Sequence, residues 1–165
     1  MIDLEKLAKF LVNAKKATYA SENTIELPNP ERPLHKELEY SDGEFYYIDS
    51  YIGFFQAPGI EEVRLKNREG PTIWTMAYSG GMLPRYQKDI IFAKKIFRHL
   101  KKALSLVTED IPFRGPRLYE EDGLRYKNIV EGDIKRFRLL EDISLVDNGE
   151  EVFAQDCVGG LVISK

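Results

Sequence analysis

Cysteine is almost missing from this chain: Cys157 is the only one in 165 residues. An intramolecular disulfide is excluded, and the usage suits a reducing cytoplasm. Histidine is nearly as scarce, with His35 and His99 far apart in the chain. No HxxxH or CxxC spacing exists, so neither a closed metal site nor a Ser-His-Asp or Cys-His arrangement is supported. GxGxxG and GxxxxGK[ST] are absent too, and no cofactor is implied. No apolar run approaches the roughly 20 residues of a spanning helix, and MIDLEKLAKFLVNAKK lacks the apolar block of a signal peptide. Neither membrane insertion nor secretion is expected. An excess of one charge is also lacking. With 24 basic and 27 acidic residues the net charge is −3, which gives no bulk reason to bind nucleic acid.

What is present is an ordinary globular composition, 43% hydrophobic and 31% charged, in a length that suits one domain over 1–165. Leu4, Leu7, Ala8, Leu11 and Ala14 recur at helical spacing and predict a helix over 3–17, with Asp3 as its N-cap. Pro28, Pro30 and Pro33 keep 18–37 irregular. Strands are expected from about 37–40, 44–52, 60–66 and 71–78, divided by Ser41-Asp42-Gly43, the break at 53–59 and Asn67–Gly70. A second helix follows over about 85–107, with a basic outer face that reads as solvated. After an irregular connector at PFRGPRLYEEDG, strands are expected at about 124–131, 134–146 (broken near Leu139), 151–155 and 158–163.

The stretch 39–81 holds five of the nine Tyr, three of the nine Phe and the only Trp. It also recurs in more polar form. At an offset of 80, Asp42-Gly43 falls on Asp122-Gly123 and Tyr46 on Tyr126. With a slip of one, Gly80-Gly81 falls on Gly159-Gly160 and Trp74 on Phe153. The fold class expected is α+β. Two amphipathic helices pack on antiparallel sheet built from two similar helix-plus-four-strand units, about 3–82 and 85–163, related by a pseudo-twofold duplication.

Side chains alternate across a strand. The offset of 80 makes Tyr46, Ile48 and Ile52 the core face. It leaves Phe45, Tyr47, Asp49 and Tyr51 on a face turned away from the helices, where aromatics around one acid would form a ligand wall. Trp74, Met76 and Tyr78 would extend it. The competing reading covers both faces and satisfies Asp49 with a tyrosine hydroxyl or a backbone N–H. Arg114, held between Pro112 and Pro116, is the best-placed cation, for a ligand carboxylate or phosphate or for an intramolecular ion pair. The candidate ligand-binding residues are Tyr47, Asp49, Tyr51, Trp74, Tyr78 and Arg114, with no catalytic residue and no metal ligand assigned.

Several separated motifs carry a resemblance. Thr18-Tyr19-Ala20, Tyr47–Gly53, Glu62-Val63, Ile73–Gly80 and Arg114-Gly115-Pro116 together resemble a prokaryotic domain family of unknown function, found alone or behind a repressor-type helix-turn-helix domain. That setting implies a sensor or partner-binding role. One N-terminal helix cannot make a helix-turn-helix, so DNA binding is not implied here. The resemblance supplies no catalytic residues. The leading expectation is a cytoplasmic small-molecule-binding or sensor-like module with an aromatic-lined cleft. The alternatives are an enzyme using Asp49, a tyrosine and Arg114 at the same cleft, or a homodimer or partner interface built on exposed aromatics.

Overall fold

The computed structural model describes residues 2–21 and 25–163. Helix α1, Leu4–Ala17, starts where the Asp3 carboxylate accepts from the N–H groups of Glu5 and Lys6. Strands β1 (Lys36–Asp42), β2 (Phe45–Tyr51), β3 (Gly59–Leu65) and β4 (Thr72–Met82) follow. A short 3-10 turn at Pro84–Tyr86 leads to α2, Ile90–Ser105, capped by the Asp89 carboxylate on the Phe92 N–H. Strands β5 (Leu118–Glu121), β6 (Leu124–Asp133), β7 (Arg136–Leu145) and β8 (Glu151–Leu161) complete the chain.

All neighbouring strands pair antiparallel in one eight-stranded sheet, ordered β1-β2-β3-β4-β8-β7-β6-β5. Each half is a four-stranded meander, and β4 pairs with β8 at the centre. The α+β class is as expected, with three local differences. β8 runs unbroken through Gly159-Gly160, β7 does not break at Leu139, and Leu118–Glu121 is a strand rather than connector. The β4–β8 ladder explains the first, since both strands carry paired glycines that keep their hydrogen bonds. The expected second helix also begins later, at Ile90, because Asp89 caps it there.

Both helices pack on one face of the sheet. Leu7, Phe10 and Leu11 of α1 meet Phe45, Tyr47, Val63, Trp74 and Met76. Ala93, Ile96, Leu100 and Leu104 of α2 meet Met82, Leu124, Tyr126, Ile143 and Phe153. Neither helix, alone, is long and apolar enough to cross a membrane.

The expected faces of β2 are reversed. Phe45 and Tyr47 lie under α1, with the Phe10 ring 5.2 Å from Phe45. Tyr46, Ile48 and Ser50 face the other way, yet they are buried as well. Their cover is the proline-containing loop 25–35. It is tied down by Glu37, whose carboxylate accepts from the Glu31 and Arg32 N–H groups (2.6 and 3.1 Å) and from Ser50 Oγ (2.9 Å). The expectation rested on matching Tyr46 to Tyr126; in the fold it is the neighbouring Tyr47 that, like Tyr126, lies on the helix-covered face. A slip of one exchanges the faces of a whole strand.

Candidate functional site

Polar side chains interrupt the apolar inner face along a row that crosses the sheet. Asp49 on β2 stands directly opposite Glu61 on β3. Asn128 on β6 stands opposite Glu141 on β7, and Glu141 opposite Gln155 on β8. All five are buried. Two cations reach the row from outside the sheet, Lys15 from the end of α1 and Arg114 from the connector 106–117. Both are themselves buried.

Each cation has its own carboxylate. Lys15 Nζ binds Glu61 Oε2. Arg114 approaches Glu141 through Nε and Nη2 at 2.6–3.1 Å, a charge-assisted fork. Glu141 also accepts from the Tyr126 hydroxyl at 2.7 Å and from Gln155 Nε2 at 3.0 Å. Arg114 is held in place from behind, because Phe113 stacks on Phe137 at 3.9 Å and the Gly115 N–H donates to Tyr126 Oη at 3.1 Å. The fork and its neighbouring carboxylates keep the guanidinium charged, outweighing the burial that opposes its charge. Its third nitrogen, Nη1, lies 3.9 Å from Glu61.

Asp49 has no cation of its own. Its Oδ1 accepts from the Tyr78 hydroxyl at 2.7 Å, and Oδ2 makes no hydrogen bond among the described residues. Burial, with the Glu61 charge next, pushes the Asp49 carboxyl up to about 7, against the opposing effects of Tyr78, Lys15 and Arg114. The Tyr78 ring stands close to β3. A Cβ added to Gly59 would fall 2.4 Å from its hydroxyl, so only glycine leaves that oxygen room to reach Asp49.

Beside this carboxyl the sheet, the turn after α1 and α2 leave a cavity of about 320 Å³. Asp49, Tyr51, Tyr78, Gln155 and Arg114 form its polar floor, and Tyr19, Phe97 and Phe153 its aromatic sides. The loop 52–58 closes one edge, pinned to β4 by Ala57 N–H on Gly80 O (2.9 Å) and Met82 N–H on Phe55 O (2.7 Å). From that loop Phe54 meets Phe97 edge to face at 5.3 Å. At the mouth Lys101 Nζ lies 5.4 Å above the Tyr19 ring, and Lys36 pairs with Glu26 at 2.9 Å. A larger hollow of about 990 Å³ at the start of α1 and the end of β8 is lined by none of the buried charged groups described above.

Four of the six residues expected at a ligand site therefore meet at one cavity: Asp49, Tyr51, Tyr78 and Arg114. Tyr47 and Trp74 do not. Tyr47 lies in the core under α1, and Trp74 stacks on Phe137 at 5.8 Å while its Nε1 donates to Ile134 O at 3.1 Å. The wall turned away from the helices does not exist. The acid and its tyrosines face the helices instead, across a space the helices leave open. Tyr19, Phe97, Phe153, Lys101 and Gln155 escaped the sequence reading. The first three aromatics come from three separate segments that only the fold joins. Among the described residues no group of three or more His, Cys, Asp and Glu could hold a metal ion.

The comparisons with known proteins are sparse: no curated protein and no solved structure matches the chain. From Asp49 to just past the end of β8, residues 49–162 match the domain of unknown function DUF5680, and the chain belongs to that family.

Proposed function

We propose that this chain is a small-molecule-binding, sensor-like module of the cytoplasm, and that its ligand enters the cavity between α2 and the inner face of the sheet. One observation carries the reading. A buried acid with a free oxygen lies at the floor of an aromatic cavity of about 320 Å³, a volume in the range that small ligands occupy. A fold needs no such acid for its own stability, because an unpaired buried carboxylate is costly. The single buried cysteine suits a reducing compartment.

The reading includes the pseudo-twofold duplication. Its support is the repetition of one side-chain set in each half: Tyr47, Glu61, Asp49 and Lys15 in the first, Tyr126, Glu141, Asn128 and Arg114 in the second. Loss of symmetry at one position, acid against amide, marks the half that binds.

Screening a metabolite library by thermal shift tests the proposal. Hits should be lost in Ala57→Phe, which narrows the cavity without touching Asp49. Hits retained by that variant would move the site elsewhere.

A second reading, an enzyme in which Asp49 is a general base beside Tyr78, is favoured by the near-neutral titration of Asp49. Arg114 would contribute little to such a reaction as a substrate clamp, because Glu141 already occupies its fork. Conversion of any screening hit, followed by chromatography, would distinguish turnover from binding.

A further inference from the structure

The two halves of the sheet differ in charge at one place, and that difference names a class of ligand. In the second half the buried set is balanced: Arg114 against Glu141, with the neutral Asn128 beside them. In the first half Lys15 is matched by Glu61, and Asp49 adds a second carboxyl directly opposite Glu61. The inner face thus buries three carboxyl groups against two cations. Every group that faces Asp49 is accounted for. Glu61 comes from β3, Tyr78 from β4, Lys15 from α1 and Arg114 from the connector 106–117, and the uncharged hydroxyls of Tyr19, Tyr47 and Tyr51 also face it. Both cations are engaged elsewhere, by Glu61 and Glu141. At the mouth, Lys36 is paired with Glu26 and Lys101 lies over the Tyr19 ring.

We propose that the cavity takes an organic monocation, a protonated amine carried on an aromatic or apolar body, and that its entry expels a proton from Asp49. The exchange balances: the protonated Asp49 carboxyl and the incoming ammonium give a carboxylate–ammonium pair and one proton released to solvent. The inference rests on the small-molecule reading above and adds the charge of the ligand. Three observations converge on it. No cation pairs with Asp49, and its Oδ2 is the carboxyl oxygen on the cavity floor that receives no hydrogen bond among the described residues. The sides offer aromatic rings, Tyr19, Phe97 and Phe153, whose faces attract a cation. The imbalance of buried charge is one unit, which a proton satisfies in the empty protein and a monocation satisfies in the complex. The elevation of the Asp49 carboxyl to about 7, from burial and then Glu61, agrees with a proton held there at neutral pH.

Matched compounds that share a ring and differ in charge provide the test. Tryptamine, tryptophol and indole-3-acetate are titrated into the full chain by calorimetry, in two buffers of different ionisation enthalpy. Tryptamine should bind at least about tenfold more tightly than tryptophol, and indole-3-acetate should not bind. At pH 6 the buffer dependence should show close to one proton released per tryptamine. Affinity should rise up to about tenfold per pH unit below the Asp49 titration. Asp49→Asn should keep a folded protein and lose both the preference for the amine and the proton release. Ala57→Phe should abolish binding of all three compounds. If tryptophol and indole-3-acetate bind as well as tryptamine and Ala57→Phe blocks them, the cavity is a ligand site but the charge inference is wrong. If no compound of the three binds, or if tryptamine binding survives Ala57→Phe, both the charge inference and the site fall.

Discussion

A carboxyl group whose ionisation is opposed by its surroundings makes a folded protein more tolerant of acid than of base. Asp49 titrates near 7 in the fold, for reasons of burial and the facing Glu61, against about 3.9 for an exposed aspartate. The sign follows from which state holds the proton more tightly. The folded state does, so the contribution of Asp49 is fully present below about pH 4 and is lost as pH rises through 7. Each pH unit between the two values is worth up to about 1.4 kcal/mol. Asp49→Asn preserves the shape and the acceptor for Tyr78 and removes the titration. Urea denaturation should therefore find the variant close to wild type at about pH 4 and more stable than wild type at pH 9. A variant that loses stability equally at both pH values would show that the ionised Asp49 holds the fold. Gly59 is the second residue with a defined consequence. Gly59→Ala drives a methyl into the Tyr78 hydroxyl and should cost about 1–3 kcal/mol of overpacking, read from the same denaturation curves.

Among the elements, the connector 106–117 and the loop 25–35 are both held by charged residues, with different energetics. Arg114 fixes the connector to β7 through a fork that is almost wholly buried. Arg114→Met leaves Glu141 without its cation and should cost about 3–5 kcal/mol. The double variant with Glu141→Leu should recover much of that loss, because no uncompensated charge remains. Equal losses in the single and double variants would argue that shape, not charge, fixes the connector. The loop 25–35 is held at the other face by Glu31, which meets Arg64 through both oxygens at 2.9 Å and Arg68 at 2.7 Å. Hydrogen bonding from Arg64 holds the Glu31 carboxyl down at about 2. Glu31 and Arg68 are each about one-third exposed while Arg64 is mostly buried, so the cluster is partly screened by salt and contributes modestly to global stability. Its consequence is local. Glu31→Ala should speed proteolytic nicking between residues 25 and 35, mapped by mass spectrometry, with little change in the global unfolding midpoint.

The whole molecule is one sheet with two outer edges, β1 and β5, and a central ladder between β4 and β8. Each meander has its own helix, yet Phe137, Leu139 and Cys157 of the second half sit in the core cluster of α1. The halves therefore share a core, and neither should fold alone. Native-state hydrogen exchange should find the slowest amides in β4 and β8 and faster ones in β1 and β5. Protection that falls off from one half to the other, rather than from centre to edges, would mean two independent units. The outer face differs between halves. The loop 25–35 covers the first, whereas Ile129, Leu140 and Val158 are exposed on the second, with Ile129 and Leu140 directly opposed.

Alternation, helical spacing and turn residues are local properties, and from them both helices, most strands and the α+β class were legible in the sequence. Asp49, Tyr51, Tyr78 and Arg114 stood out because charged groups among aromatics and prolines are conspicuous wherever they fall. The face of the sheet they occupy was not legible. It depends on which of two adjacent residues, Tyr46 or Tyr47, turns toward the helices, and the local pattern suits either. Tertiary structure alone decided three matters: that loop 25–35 covers the outer face, that Arg114 pairs with Glu141 and Lys15 with Glu61, and that Tyr19, Phe97 and Phe153 meet. Each joins residues distant in the chain, and such partners are chosen by packing and charge balance across the folded sheet, which leave no periodic trace in the sequence.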